Sequence, residues 1–329
     1  MPERNAPSAH NDQSAGQGRQ QRSYHVIVFG ATSFVGEILC RYLLERFGAE
    51  GELRWAMAGR SESKLRSLQA RLGGDASRIP VLLADAADAQ ALQRLCLQTR
   101  VICTTVGPYA LYGEPLLAAC ADTGTDYCDL TGEVQWIHRM IERYEDRAKA
   151  TGARIVNCCG FDCIPSDLGV FYLQHLATQD GSAPCRRVKM RVKAAKGEFS
   201  GGTVASLMNV VKEMTHDAGL RKLLADPYAI CPPNHGVTLP QPDVVKAEYD
   251  ADAKSWIAPF VMAGVNTRVV HRTNALQAHR YGRDFLYDEA LMTGDGFAGR
   301  MKAIGLTGAI AAFLGATLLP PTRWPLERW

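Results

Sequence analysis

From Tyr24 to Gly160 the chain alternates two rhythms. Short apolar, often β-branched runs that end in glycine or a polar turn are separated by stretches whose apolar positions recur every three or four residues. The run HVIVFG feeds the helical stretch VGEILCRYLLERFG, in which Val35, Leu39, Tyr42 and Leu43 are expected to share a face. LRWAMAGR leads into KLRSLQARLG, IPVLLADA (79–86) into AQALQRLCLQ, RVICTTVG into GEPLLAACADTG, TDYCDL into QWIHRMIERYEDRAKATG, and ARIVNCCG closes the series. Strands joined by crossover helices predict a Rossmann-type α/β fold, a doubly wound parallel sheet of about six strands.

The same patterning divides the chain. Residues 1–23 are rich in Gln, Ser, Asn, Gly and Arg with almost no large aliphatic side chain, and they read as a disordered tail. Residues 24–170 form the nucleotide-type domain, and 171–302 a second α/β domain whose first strand is RVKMRVKAAKG from about Arg186. That domain includes a helix over 203–214 and a mixed stretch, 255–276, suited to one wall of a cleft; His271 and His279 read as structural. An apolar C-terminal segment, 303–329, completes the chain. Its core, AIGLTGAIAAFLGATLL (303–319), has no charged residue. As a helix it spans about 26 Å, a little short of a hydrocarbon core of ~30 Å. Arg300 and Lys302 before it, and Trp324, Arg328 and Trp329 after it, resemble interfacial anchors, so a membrane surface is the favoured neighbour; a buried or dimer-forming helix is the alternative.

Composition narrows the function. Lys and Arg number 37 against 34 Asp and Glu, a net charge of +3, and no basic stripe alternates with aromatics, which argues against nucleic acid. The 10 cysteines form no Cys-x-x-Cys pair, and Cys158, Cys159 and Cys163 have no histidine at ligand spacing, so no metal site is expected. No secretory leader precedes them, which fits reduced thiols in the cytoplasm, with peripheral attachment or anchoring to the inner membrane through 303–319 left open.

The chemistry begins in YHVIVFGATSFVG, where a strand, a glycine turn and a helix follow one another. Gly30 permits the turn, Gly36 allows close packing of helix on strand, and the first helical amides can face a pyrophosphate. Thr32, Ser33, Phe34 and Val35 complete this cofactor-binding loop, with Ser33 in place of the middle glycine and able to cap the helix or donate to a phosphate. At the end of the second strand stands Gly59-Arg60-Ser61, with no acid for a ribose hydroxyl. Arg60, Ser61 and Lys64 suit a 2′-phosphate, so NADP(H) is the expected cofactor; an ordinary solvated loop is the alternative. Asp85 is a candidate for the adenine pocket or a turn former, and Gly107 ends the fourth strand on the cofactor side.

The set GATSFVG, AGR, VGPYALYGEPLLAAC, DLTGE, GFDCIPSD and FSGGTVASLMNV resembles the saccharopine dehydrogenase-like oxidoreductases, and among them the bacterial trans-acting enoyl reductases, from residue 24 to about 302. The resemblance implies an NADP-linked Rossmann domain and a second domain carrying part of the substrate site. Ser33 departs from the usual glycine and Cys163 from the usual serine, and relatives are expected to continue past this chain's last residue. The implied activity is reduction of an enoyl or carbonyl group on a lipid or polyketide-type substrate. Hydride delivery to an enoyl thioester requires donors for the carbonyl oxygen and a proton for the α-carbon. Tyr109 and Tyr112 are the available phenols, neither followed by lysine four residues on; Glu133 and Asp162 are candidates to position substrate or ribose, with capping of the following helices as the alternative. SGGT (200–203) offers amides to an anion or is a capped turn. A saccharopine-type amino-acid dehydrogenase and a non-catalytic lipid-surface protein that keeps the nucleotide fold are the competing readings. A lipid-linked small molecule is the expected partner, with a homodimer left open.

Overall fold

A computed structural model of the chain describes residues 21–194 and 201–318. The expected tail therefore falls almost wholly outside the described residues, as do Trp324, Arg328, Trp329 and the side chains of SGGT. The chain divides into two compact units, one formed by 1–130 and 142–157, the other by 131–141 and 158–329. The boundary lies at Asn157, not at 170, and a short stretch beginning at Thr131 belongs to the second unit.

In the first unit, β1 (Tyr24–Phe29), α1 (Phe34–Phe47), β2 (Trp55–Gly59), α2 (Glu62–Leu72), β3 (Val81–Leu83), α3 (Ala89–Leu97), β4 (Thr99–Thr104), α4 (Tyr109–Tyr112), α5 (Glu114–Thr123), β5 (Asp126–Cys128), α6 (Val134–Thr151) and β6 (Ile155–Val156) follow in order, α6 running on from the second unit. The strands form one six-stranded sheet, β3-β2-β1-β4-β5-β6, parallel throughout, with the reversal of strand order between β1 and β4. That switch point is where an open α/β sheet leaves a crevice at its carboxyl edge. Val28, Cys40, Leu43, Trp55, Met57, Leu65 and Leu68 build the core between β1, β2, α1 and α2. The buried face of α1 is Gly36, Cys40 and Leu43. Tyr42, expected on that face, is exposed together with Phe34 and Ile38, because these three recur at four-residue spacing on the opposite side.

The second unit contains α7 (Ile164–Thr178), β7 (Arg187–Val192), α8 (Gly201–His216), α9 (Ala218–Ala225), β8 (Glu248–Asp250), β9 (Ser255–Pro259), α10 (Ala263–Leu276), β10 (Leu286–Gly294) and α11 (Gly296–Leu318). Its four-stranded sheet runs β7-β10-β9-β8, with β10 parallel to β7 and antiparallel to β9. Val170, Val270, Tyr281, Phe285 and Tyr287 form its apolar core. Beside that core lies a buried polar hub. Asn266 donates to Ser166 Oγ at 3.1 Å and to Glu289 Oε2 at 2.9 Å, and Tyr287 donates to Glu289 Oε1 at 2.6 Å. Burial raises the Glu289 carboxyl, against the pull of these hydrogen bonds. Among the described residues no helix is long and apolar enough to cross a membrane.

Candidate functional site

The loop between β1 and α1 is held by close backbone contact. Gly30 has φ +84°, and a Cβ there would meet Val106 Cγ2 at 2.7 Å. A Cβ on Gly36 would lie 2.3 Å from the Gly30 carbonyl oxygen, so only glycine lets α1 start this near β1. Ser33 has φ −72° and ψ 163°, an extended backbone that needs no glycine. Its hydroxyl accepts from the Gly36 amide at 3.0 Å and lies 2.8 Å from Thr105 Oγ1. Thr105 in turn donates to the Gly30 carbonyl at 2.9 Å, pinning the loop to the end of β4. The Ser33 side chain is thus turned back into the fold, and the Phe34 and Val35 amides stand in the first helical turn, where a helix supplies no acceptor. Phosphate oxygens fit that vacancy of acceptors. Thr32 is exposed at the loop's tip.

Around the end of β2 the residues separate by role. Gly59 is buried, whereas Arg60 and Lys64 are exposed and form no ion pair with any described carboxylate. Ser61 caps α2, accepting from the Lys64 amide at 3.4 Å. Asp85 accepts from the Ala87 amide at 2.9 Å, the contact of a turn former. Gly107 leads into α4 with the Tyr109 ring 3.4 Å from where its Cβ would stand.

At the carboxyl ends of β4, β5 and β6 the two candidate phenols part company. Tyr109 is 4% exposed; its hydroxyl donates to the Thr104 carbonyl at 3.1 Å and accepts from the Leu130 amide at 3.4 Å. Tyr112, three residues on, is 49% exposed. Sequence reasoning passed over a neighbouring cluster. Asp129, almost wholly buried, accepts from Tyr127 Oη at 2.9 Å and from Asn157 Nδ2 at 2.8 Å through the same carboxylate oxygen. Burial, with the Asp129 charge next, pushes the Tyr127 phenol well above its ordinary range, so it stays a donor. The signal available was positional: Asp129 and Asn157 each follow directly on a short strand.

Glu133 belongs to the second unit. It is buried, accepts from Ser206 Oγ at 2.9 Å, and its carbonyl takes the amides of Trp136 and Ile137 at 3.0 Å each as α6 begins. Asp162 is exposed just before α7, with its carboxyl raised by desolvation. In the same unit His271 is buried against Tyr228 at 5.1 Å between ring centroids, and burial followed by the Arg268 charge lowers it to about 4. His279 occupies a turn at φ +59°.

Residues 26–156 match the family pattern described as the saccharopine dehydrogenase NADP-binding domain. A Mycobacterium tuberculosis protein with a provisional trans-acting enoyl reductase name is 42% identical over 282 residues, covering 83% of this chain and 66% of that relative. The chain therefore spans just under two thirds of this relative's length. A trans-acting enoyl reductase of Mycobacterium ulcerans is 39% identical over 305 residues, covering 90% of this chain and 72% of the relative. Among solved structures, the apo saccharopine dehydrogenase (L-Glu forming) of Saccharomyces cerevisiae aligns with 57% of this chain and 41% of its own, at 15% identity and a TM-score of 0.42.

Proposed function

This chain belongs to the saccharopine dehydrogenase-like trans-acting enoyl reductase family, and from that premise we propose that it is an NADPH-dependent oxidoreductase that reduces an enoyl or carbonyl group of a lipid or polyketide-type substrate. The observation that carries the reading is the loop Gly30–Gly36, whose glycine contacts bring α1 close to β1 and whose first-turn amides have no acceptor within the helix. Arg60 and Lys64, free of acidic partners, are the groups to hold a 2′-phosphate. The bound cofactor would supply the hydride, and this chain brings the groups around it.

Reduction of an enoyl thioester places negative charge on the carbonyl oxygen and requires a proton at the α-carbon. Tyr109 has its hydrogen engaged by the Thr104 carbonyl, which suits a residue that fixes the β4 and β5 ends rather than one that donates to substrate. Tyr112, exposed one turn later, is the phenol available to the carbonyl oxygen or the α-carbon. Asp129, held by Tyr127 and Asn157, sets the shape and charge of the same edge. Purified protein given NADPH and a panel of enoyl thioesters is expected to consume NADPH with at least one of them. Tyr112→Phe should then slow turnover by about 10²–10⁴. Turnover by Tyr112→Phe at the parent rate would remove Tyr112 from the chemistry, and failure of every enoyl and carbonyl substrate would remove the reading.

A further inference from the structure

Helix α11 (Gly296–Leu318) is fastened to the second unit along one narrow stripe. Gly299 and Ala303 are buried, and Leu306, Thr307 and Ile310 half-buried, where the helix packs on β9 and β10. The approach at its start is close enough that a Cβ on Gly299 would lie 2.1 Å from the Gly294 carbonyl oxygen. Thr307 donates back to the Ala303 carbonyl at 2.8 Å, so its hydroxyl needs no outside partner.

The helix also touches α8 and β8, and Gly315 and Ala316 are half-buried near its end, but between Ile304 and Phe313 the side away from the sheet is apolar and exposed. At 100° per residue the exposed positions from Ile304 through Gly308 and Ala312 to Phe313 sweep an arc of about 180°. Ile304 is 46% exposed and Phe313 38%, and one turn earlier Met301 is 49% and Phe297 78% exposed. No Asp or Glu occurs between Gly296 and Leu318. The two bases, Arg300 and Lys302, fall near opposite edges of the arc. Arg300 lies over the Trp256 ring at 5.3 Å, and Tyr249 meets that ring edge-on at 5.8 Å.

We propose that the exposed arc of α11 docks on an anionic phospholipid surface, its apolar side chains entering the acyl boundary and Arg300 and Lys302 meeting lipid phosphates. The width of the arc decides between occupants. A second protein helix covers about 100° of its neighbour and would leave the other half of this arc in water, whereas lipid wets all of it. Cations on both flanks, with a tryptophan and a tyrosine beside Arg300, are arranged as at a headgroup boundary, where long side chains reach outward from an apolar stem. The uncharged part, Ala303–Leu318, is about 24 Å long, which suits lying in the boundary and not crossing it. The proposal stands apart from the reductase reading, since none of these residues belongs to the nucleotide loop or the β4–β6 edge.

Flotation of the full chain with phosphatidylcholine vesicles, with and without a one-third share of phosphatidylglycerol, is the test. The parent protein should float with the anionic vesicles, and Ile304→Asp with Phe313→Asp should lower its partition coefficient at least tenfold. Arg300→Gln with Lys302→Gln should weaken the anionic vesicles roughly fivefold per charge and leave neutral ones little changed. Hydrogen exchange on the unmodified chain gives a measurement independent of any variant: amides of 304–316 should gain protection on vesicle addition. A parent that stays in solution with both vesicle types and shows no added protection overturns the proposal. So does a stable dimer in solution that Ile304→Asp splits while vesicles bind nothing, which would assign the arc to a second copy.

Discussion

In the first unit, β1 and β2 bury Ile27, Val28, Trp55 and Met57 and no charged side chain; in the second, β7, β8 and β10 bury Asp250, Asp288 and Glu289 with Arg191 among them. Arg191 reaches Asp250 Oδ2 at 2.7 Å and Asp288 Oδ2 at 2.6 Å, and Lys189 adds a contact to Asp250 at 3.4 Å. A parallel sheet covered by helices on both faces is specified by apolar runs and tolerates no unpaired charge. The smaller sheet is specified by charges that cancel only when β7, β10 and β8 are in register. The β1–β2 core carries no titrating group, whereas the second sheet depends on pH and on each of its charged partners.

The sharpest way to break that contrast is to remove the shared cation. Arg191→Met leaves two carboxylates buried without their main partner and should cost about 3–5 kcal/mol, read as a drop in the urea midpoint of the second unit. Restoring neutrality with Asp250→Asn and Asp288→Asn should recover much of it; if Arg191→Met alone is silent, the pairs contribute nothing to that sheet.

Acidification probes the same unit. His271 is lowered to about 4 by burial and the Arg268 charge, while the unfolded histidine titrates near ~6.5. Between those values the unfolded chain binds more protons, so stability should fall as pH drops from about 6.5 to about 4, by on the order of 3 kcal/mol. Asp250 adds a second step. Burial raises its carboxyl, but the Ala253 amide and Arg191 outweigh that and hold it at about 2, so its contribution is full above about 4 and is lost as pH falls toward 2. His271→Phe should flatten the upper step in a series of melts across pH; an unchanged slope would assign it elsewhere.

Effects in the first unit should be smaller and steric. Gly36→Ala forces a methyl against the Gly30 carbonyl oxygen and should lower stability by about 1–3 kcal/mol, with weaker nucleotide binding. Ser33→Ala removes the cap of α1 at about 1 kcal/mol, whereas Ser33→Gly should cost only a few tenths. Thermal melts of the pair distinguish a capping serine from one that is merely tolerated.

What could be read in advance follows the same divide. The nucleotide unit was legible because strand, glycine turn and amphipathic helix are contiguous in the chain, and Gly30 and Gly36 signal their close backbone contacts locally. Tyr42 misled because apolar character alone does not say which side of α1 is covered. Thr105 and Asp129 escaped notice because their partners lie far off in sequence or on another strand: Thr105 acts on Ser33, 72 residues earlier, and Asp129 on Asn157, 28 residues later. The charges of β7 and β10 look like solvent-facing residues until register brings Arg191 to Asp288. The apolar stretch at the end was visible as composition, but its helix starts at Gly296 and keeps one side on the sheet, which only packing reveals.

The central claim is that the Gly30–Gly36 loop and Arg60 bind NADPH. Calorimetric titration of the purified chain with NADPH and with NADH, repeated on Arg60→Ala, tests it most directly. The account predicts that NADPH binds the parent roughly ten- to hundredfold more tightly and that Arg60→Ala removes most of this preference while leaving NADH affinity nearly unchanged. Equal affinities for the two nucleotides in the parent, or equal losses for both in Arg60→Ala, would contradict it.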